Sequence, residues 1–227
     1  VENADGKTNL NVEMPASETE QTDVAFEADS LNISIIINKL PTDVRMITSS
    51  VLYESGKYFV AALKDINGRA IDGVKVSVKL SNGRSFNLKT DKNGQIQIPA
   101  GNLAPNKYTV KITFDGNNNY VKIIKTVNVA VKKAKPKLTA KKKTFKRSVK
   151  TKKYVVILKT SKNKAIKKAK VTLKVNKKTF SVKTNSKGKV TFKITGLNKK
   201  GKFKAAVTYK GNKYYVKVTK KVYILVK

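Results

Sequence analysis

Apolar and polar residues alternate along most of this chain. The period of two is clearest in residues 74–80, Val-Lys-Val-Ser-Val-Lys-Leu, and in residues 171–175, Val-Thr-Leu-Lys-Val. Alternation of this kind is typical of strands that bury one face. Four further segments show the same pattern: 58–63, 108–114, 154–158 and 203–209. Because no stretch sustains a period of 3.6 residues, the pattern predicts an all-β protein.

Turn-forming dipeptides separate the predicted strands. They are Asn67-Gly68, Asn82-Gly83, Asn93-Gly94, Asp115-Gly116 and Lys187-Gly188. Roughly seven short strands in about 90 residues is the pattern of a Greek-key β-sandwich with immunoglobulin-like (Ig-like) architecture. Tryptophan and cysteine are absent from the chain. The term Ig-like therefore refers here to architecture and not to the core markers of antibodies.

The chain contains an internal repeat. Residues 41–132 align with residues 136–227 at an offset of 95 residues, which falls to 94 in the middle of the repeat. A tandem duplication follows from this alignment. We predict two Ig-like sandwich domains joined by a short basic linker and preceded by an acidic arm and one extra strand. The predicted boundaries are 1–30 for the arm, 31–38 for the strand, 39–132 for the first domain and 133–227 for the second.

Three motifs of the first repeat invite comparison with a known family. They are Asn-Gly-x-Ala-Ile-x-Gly-Val-x-Val from Asn67, Thr-Asp-x-x-Gly from Thr90, and Lys-Tyr-Thr-Val-x-Ile-x-Phe-x-Gly from Lys107. Together they resemble Ig-like surface repeats of bacteria and archaea, and in particular the adhesin-like surface proteins of methanogenic archaea with lysine-rich C-terminal repeats. The resemblance covers about residues 41–227. It implies an extracytoplasmic location and a structural or adhesive role, and it specifies no ligand.

Charge is distributed unevenly along the chain. The net charge is +36, yet residues 1–37 carry eight acidic side chains and one basic side chain. After Asp115 there is no acidic residue, whereas 37 Lys or Arg residues follow. This asymmetry predicts a polyanionic partner, or an acidic segment on a second copy of the chain.

The lysines of the second domain allow two interpretations. They can form a solubilising surface that also protects sheet edges, or they can bind a polyanion such as a wall polymer, an acidic glycan or nucleic acid. Specific nucleic-acid recognition is disfavoured because the chain has four arginines and its aromatic residues occupy core-facing positions. The predicted contact residues for a polyanion are Lys170, Lys174, Lys183 and Lys193.

Residues 31–37 form a predicted strand that aligns with the opening of neither repeat. Leu31, Ile33, Ile35 and Ile37 share one face of this strand. The strand either completes the first domain of its own chain or is donated to a neighbouring subunit, which would build a head-to-tail filament. Asn32 begins a glycosylation sequon, although a strand is an awkward place for a glycan.

The residue inventory argues against an enzyme. Histidine and cysteine are absent, and the second half of the chain has no carboxylate for paired-acid hydrolysis. Asp91 is interpreted as a turn residue and not as a calcium ligand. A promoted isopeptide bond is excluded in the second domain and left open in the first. We expect no cofactor and no bound metal.

The expected function is that of an extracellular structural or adhesion protein that assembles with itself. No apolar run approaches the ~18 residues of a membrane span. The start at Val1 is consistent with a secreted protein whose signal peptide has been removed. The alternative function is a polyanion-binding module that uses the basic surface of the second domain.

Overall fold

The computed structural model describes the backbone of residues 23–28 and 31–36, and both backbone and side chains of residues 38–101 and 103–227. Every regular element in these residues is a β-strand, which confirms the predicted all-β class. The chain divides into two compact units. The first comprises Val1–Val51, Lys57–Ala100 and Lys107–Ala130, and the second comprises Leu52–Gly56, Gly101–Asn106 and Val131–Lys227.

Two short strands precede the repeats and pair with each other. β1 is Asp23–Ala28 and β2 is Leu31–Ile36, and they form an antiparallel two-stranded sheet in which Phe26 lies opposite Ile33. β2 coincides with the predicted extra strand. Its described ladder is with β1, and it is not one of the strands that the repeats assemble into their own sheets.

Residues 1–30, which the sequence predicts as an acidic arm, contain one described strand. β1 lies inside this segment and is a regular strand. Its residues Val24, Phe26 and Ala28 alternate with more polar or smaller neighbours, a strand pattern that the high acid content of the segment obscured. Residues 1–22 and Ile37 lie outside the described residues.

The first repeat contributes strands β3 to β10. Their bounds are Thr42–Thr48 (β3), Ser50–Leu52 (β4), Tyr58–Asp65 (β5), Lys75–Leu80 (β6), Ser85–Lys89 (β7), Gln95–Pro99 (β8), Asn106–Phe114 (β9) and Ile123–Lys132 (β10). A five-stranded sheet has the order β4-β10-β9-β6-β7, and a three-stranded sheet has the order β3-β5-β8. The chain changes sheets at five of its seven strand connections and stays in the five-stranded sheet from β6 to β7 and from β9 to β10, as in a Greek-key sandwich.

The second repeat contributes strands β11 to β18. Their bounds are Lys137–Thr139 (β11), Lys143–Phe145 (β12), Lys152–Lys159 (β13), Lys170–Val175 (β14), Lys178–Lys183 (β15), Lys189–Ile194 (β16), Gly201–Tyr209 (β17) and Val218–Val226 (β18). The sheet orders are β12-β18-β17-β14-β15 and β11-β13-β16. Adding eight to each strand number of the first repeat gives these orders, so the sequence repeat is also a repeat of topology. The predicted fold class of two Ig-like sandwiches is confirmed.

The core of the second repeat lies between its two sheets. Leu173 and Val207 of the five-stranded sheet and Val156 and Phe192 of the three-stranded sheet are all fully buried and belong to one apolar cluster. Their strands alternate buried and exposed positions, as the sequence pattern predicts. Each such side chain stabilises the sandwich by about 1.5–3 kcal/mol before ordering costs.

Lys152 departs from the outward placement of the other strand lysines. It lies at the start of β13 with 0% exposure, and its Nζ donates a hydrogen bond to the Val149 carbonyl at 2.6 Å. A long aliphatic stem packs well in an apolar environment when the amino group reaches a polar partner. The aligned residue of the first repeat, Lys57, is exposed. The sequence pattern did not predict this difference between the repeats.

Candidate polyanion-binding face

One face of the five-stranded sheet of the second repeat points away from the core. In β14, Val171 and Leu173 are buried, so Thr172 and Lys174 lie on the opposite face. The neighbouring strands β15, β17 and β18 pair with or beside β14 in register and extend this face. We call it the lysine face.

A row of residues crosses the lysine face from strand to strand. Lys174 lies opposite Thr179 of β15 and opposite Ala206 of β17, and Ala206 in turn lies opposite Lys221 of β18. The two lysines are therefore two strands apart, or about 10 Å at ~4.8 Å per strand. The small side chain of Ala206 leaves a depression between them.

A cleft of about 510 Å³ lies over this row. Tyr223 forms one part of its wall and is 39% exposed. The Nζ of Lys202 lies 4.2 Å from the Tyr223 ring centroid, a cation–π contact that holds an ammonium group beside the cleft. Four lysines line the cleft itself: Lys174, Lys177, Lys204 and Lys221.

A row of hydroxyl groups runs beside the lysine row. Thr172 lies opposite Ser181 on one side and Thr208 on the other, and Thr208 lies opposite Thr219. The Thr172 hydroxyl donates to the Thr208 carbonyl at 3.3 Å, and the Thr208 and Thr219 hydroxyls are 3.0 Å apart. The face therefore offers neutral donors and acceptors next to its cations.

A second cleft of about 570 Å³ continues from this hydroxyl row. Lys170, Thr172, Ser181 and Lys210 line it together with Tyr209. Tyr209 is 3% exposed, and within the described part of the chain its hydroxyl has no hydrogen-bond partner. Burial raises the pKa of Tyr209 above its ordinary value, so the hydroxyl keeps its proton at neutral pH.

The lysine face has no compensating carboxylates in its own repeat. Residues 116–227 contain no Asp or Glu. The described ion pairs involve Asp43 and Asp115, both in the first repeat. A concave surface of one sign, without internal counter-ions, attracts anions from solution.

Three of the four predicted contact lysines share the lysine face. Lys170 lies opposite Lys183 at the β14–β15 pair, and Lys174 lies four residues, or two pleat repeats, further along β14 on the same face. Lys193 does not join them, because it lies on β16 opposite Lys153 in the three-stranded sheet. All four side chains are exposed. Whether they bind a polyanion remains a prediction.

The positions of Ala206 and Lys221 in the cleft were not predicted from the sequence. A signal for them lies in the repeat alignment, where Ala206 aligns with Lys111. In the first repeat Lys111 lies opposite Lys79, so a long side chain occupies the position that is a depression in the second repeat. Comparison of outward positions between repeats would have identified the cleft.

The residues predicted for assembly and glycosylation lie in β2. Leu31, Ile33 and Ile35 alternate along this strand, and Asn32 lies opposite Glu27 of β1. Their roles in assembly and modification remain predictions.

The adjacent tyrosines of the second repeat do not add an aromatic platform to the lysine face. Tyr215 is 8% exposed and belongs to the core cluster, and Tyr214 packs against that cluster. The Nζ of Lys213 lies 5.0 Å from the Tyr214 ring centroid. These tyrosines therefore act mainly in packing.

Among the described residues, no group of three or more His, Cys, Asp or Glu side chains is arranged to hold a metal ion. The same residues contain no helix of the length and apolar character that would span a membrane.

Comparison with known proteins gives matches among solved structures alone. Neither a protein-family model nor a curated protein matches the chain. The chain is similar to invasin, a bacterial integrin-binding protein, at 16% identity over 82% of this chain and 39% of that chain, with a TM-score of 0.45. It is similar to a two-domain fibronectin type III segment of chicken tenascin at 9% identity over 79% and 96%, with a TM-score of 0.46.

A third similar structure is a Ca²⁺-stabilised adhesin that helps an Antarctic bacterium bind ice. The identity is 14% over 91% of this chain and 57% of that chain, and the TM-score is 0.32. This chain thus spans less than two thirds of the length of the adhesin and invasin chains. The fold assignment rests on the strand order described above.

Proposed function

We propose that this chain is an adhesin-like part of a cell-surface protein and that its second repeat attaches to an anionic polymer outside the cell. The two Ig-like domains, which we place at residues 39–132 and 133–227, act as structural modules without catalytic chemistry. The origin of the chain among the surface proteins of methanogenic archaea is part of this proposal. So is export with removal of a signal peptide.

The observation that carries the proposal is the lysine face. Two adjoining clefts there are lined by lysines, and the repeat to which they belong contains no carboxylate side chain. A surface that served solubility alone needs charge but not concavity. Ig-like sandwiches also leave their outer sheet faces open for contact, since the core is closed by the inner faces.

Salt titration of polymer binding tests this function. The full chain is passed over immobilised polygalacturonate at about 10 mM salt, where electrostatic attraction extends over ~30 Å. We expect retention that falls steeply as salt is raised, because counter-ions compete for the lysines. A neutral dextran matrix is the control. Absence of retention on polygalacturonate at low salt would contradict the proposed function.

A second proposal concerns assembly. We propose that β2 is donated to a sheet edge of a neighbouring copy and so joins subunits head to tail. The support is that β2 lies outside the sheets of both repeats and that Leu31, Ile33 and Ile35 form one apolar face in the pattern of an interior strand. Among the described strands β2 pairs with β1 along one edge, and its other edge has no described partner.

Light scattering and negative-stain imaging test the assembly. We expect the full chain to form filaments and a chain lacking residues 1–37 to remain monomeric. The double variant Ile33→Asp/Ile35→Asp is expected to behave like the truncated chain, whereas the control Asn32→Asp/Ser34→Asp, on the opposite face, assembles. If the full chain and the truncated chain are both monomers of equal stability, strand donation is wrong.

A further inference from the structure

We infer that the lysine face is a built site for an extended acidic polysaccharide, which crosses the strands over Ala206 with its anionic groups at Lys174 and Lys221. This inference rests on the proposed attachment of the second repeat to an anionic polymer. It goes further by naming the ligand class and the part of the surface that recognises it.

The shape of the site favours a chain-like ligand. The 510 Å³ cleft contains Lys174, and the 570 Å³ cleft contains Thr179, which lies directly opposite Lys174 in the ladder. The two clefts therefore meet at this pair and form one groove across the sheet. A compact anion would occupy one cleft, whereas a polymer can occupy both.

The side chains of the groove favour a sugar polymer over a nucleic acid. The hydroxyls of Ser181, Thr172 and Thr208 lie between cationic positions and suit the hydroxyl groups of a glycan. Each of these three hydroxyls can exchange a hydrogen bond with a neutral part of the polymer while the lysines hold its charges.

The features by which proteins bind single-stranded nucleic acid are weak here. Stacking needs accessible aromatic faces, and guanine readout uses arginine forks. Tyr223 is the aromatic residue in the cleft, and the ammonium of Lys202 lies over its ring. The second repeat has a single arginine, Arg147, which lies outside the strands of the face.

Ala206 gives the sharpest test because shape and charge make opposite predictions there. Ala206→Lys adds a positive charge, and the equivalent position of the first repeat already holds Lys111, so the sheet accommodates the change. If binding depended on charge alone, the variant would bind a polyanion more tightly. If the polymer crosses the groove over Ala206, the long side chain obstructs it.

The experiment measures the affinity of the full chain for polygalacturonate and dextran sulfate oligosaccharides by calorimetry or fluorescence anisotropy. We expect Ala206→Lys to weaken binding about fivefold or more in spite of its added charge. Lys174→Gln/Lys221→Gln is expected to weaken binding about tenfold, because two contacts to the ligand are lost. The matched control Lys153→Gln/Lys189→Gln removes the same charge from the other sheet and should change affinity about twofold or less.

The outcomes separate this inference from the function on which it rests. Tighter binding by Ala206→Lys, or equal losses in the two lysine double variants, would overturn the groove while leaving general polyanion attachment intact. A single-stranded DNA of equal charge that binds as tightly and responds equally to Ala206→Lys would overturn the choice of a polysaccharide. Failure of every polyanion to bind would instead remove the proposed attachment itself.

Discussion

The turn after β5 in the first repeat and the turn after β13 in the second have the same backbone but different side chains. In the first, the Asp65 carboxylate accepts a hydrogen bond from the Arg69 amide at 2.8 Å. In the second, the Thr160 hydroxyl accepts one from the Lys164 amide at 3.2 Å. The amides of Asp65 and Thr160 donate to the carbonyls of the same two partners. A neutral oxygen has taken the place of a charged one.

The turn before β8 and the turn before β16 repeat the comparison. Asp91 Oδ1 accepts hydrogen bonds from the amides of Asn93 and Gln95, both at 2.9 Å. In the second repeat Asn185 Oδ1 accepts the equivalent bonds from the amides of Lys187 and Lys189, also at 2.9 Å. The geometry of the turn is unchanged, because a side-chain oxygen two atoms from the backbone is present in both cases.

The first strands of the repeats differ in another way. Asp43 lies opposite Lys64 in the β3–β5 ladder and forms an ion pair with Lys125 at 2.7 Å. The matching position in the β11–β13 ladder holds Lys137, opposite Lys159. At this position the second repeat has a base in place of the acid, and no ion pair among the described residues takes the place of the Asp43–Lys125 pair.

These differences show that charge and fold are separable in this sandwich. Where a carboxylate accepts backbone hydrogen bonds, the second repeat keeps the bonds with Thr or Asn. Where a carboxylate pairs with a surface lysine, the pair is absent, since such pairs contribute little to stability. The sequence of the second repeat thus becomes free of acids without losing the turns that determine its strand register.

The largest predicted effect is the loss of stability when alanine replaces a glycine that occupies equivalent turns of the two repeats. Gly94 and Gly188 adopt positive φ values of 70° and 71°, and a Cβ at either position would collide with the carbonyl oxygen of Leu63 or Leu158. We expect Gly94→Ala and Gly188→Ala each to reduce the unfolding free energy of its own repeat by about 3 kcal/mol or more. Hydrogen exchange of the backbone amides measures this repeat by repeat.

Gly83 supplies the control for this prediction. Its φ is 87°, but no atom lies within 4 Å of the Cβ that alanine would add. Gly83→Ala should therefore cost only the conformational strain, about 1–2 kcal/mol. If it costs as much as Gly94→Ala, the collision with the carbonyl is not the reason that glycine is needed in the Thr-Asp-Lys-Asn-Gly motif.

The sequence predicted the strands well because alternation and turn residues are local signals. Residues 171–175 alternate, and β14 buries the predicted face. The repeat alignment likewise predicted two sandwiches before any contact was known. β1 was missed because its alternation is short and lies in an acidic segment.

The candidate site was predicted less completely, since a groove depends on neighbours across strands. Lys170 and Lys183 lie opposite each other on the lysine face, but nothing local to β16 indicates that Lys193 lies on the other sheet. Ala206 gave no chemical signal of its own. Its position between two lysines follows from the pairing of β17 with β14 and β18. Burial of Lys152 likewise depends on tertiary packing.

A smaller effect on stability is expected when Asn185 in the turn before β16 is replaced by the acid that the first repeat has in the equivalent turn, Asp91. Asn185→Asp keeps the acceptor oxygen and lies among lysines, so the unfolding free energy of the second repeat should change by less than about 0.5 kcal/mol. Asn185→Ala removes the acceptor of two backbone amides and should cost about 1–2 kcal/mol. Thermal unfolding monitored by circular dichroism compares the two variants. Equal destabilisation by both would mean that the amide group itself, and not its oxygen, is required.

The smallest predicted effect concerns acid and is confined to the first repeat. The hydrogen bond from Lys125, with a second from Arg45, lowers the pKa of Asp43 from 3.8 to about 2. A carboxyl with a lowered folded-state pKa stabilises the fold above its unfolded pKa and loses that contribution as pH falls through the folded value. The loss should therefore occur between about pH 4 and pH 2, and solvent exposure of the pair limits it to well under 1 kcal/mol.

Carbon-13 NMR titration of the Asp43 carboxyl measures the pKa directly, and Lys125→Gln should raise it towards 3.8. The second repeat has Lys137 at this ladder position, so its resonances near β11 should show no matching transition. If the pKa of Asp43 is not lowered, the two repeats differ in charge but not in the pH dependence of their stability.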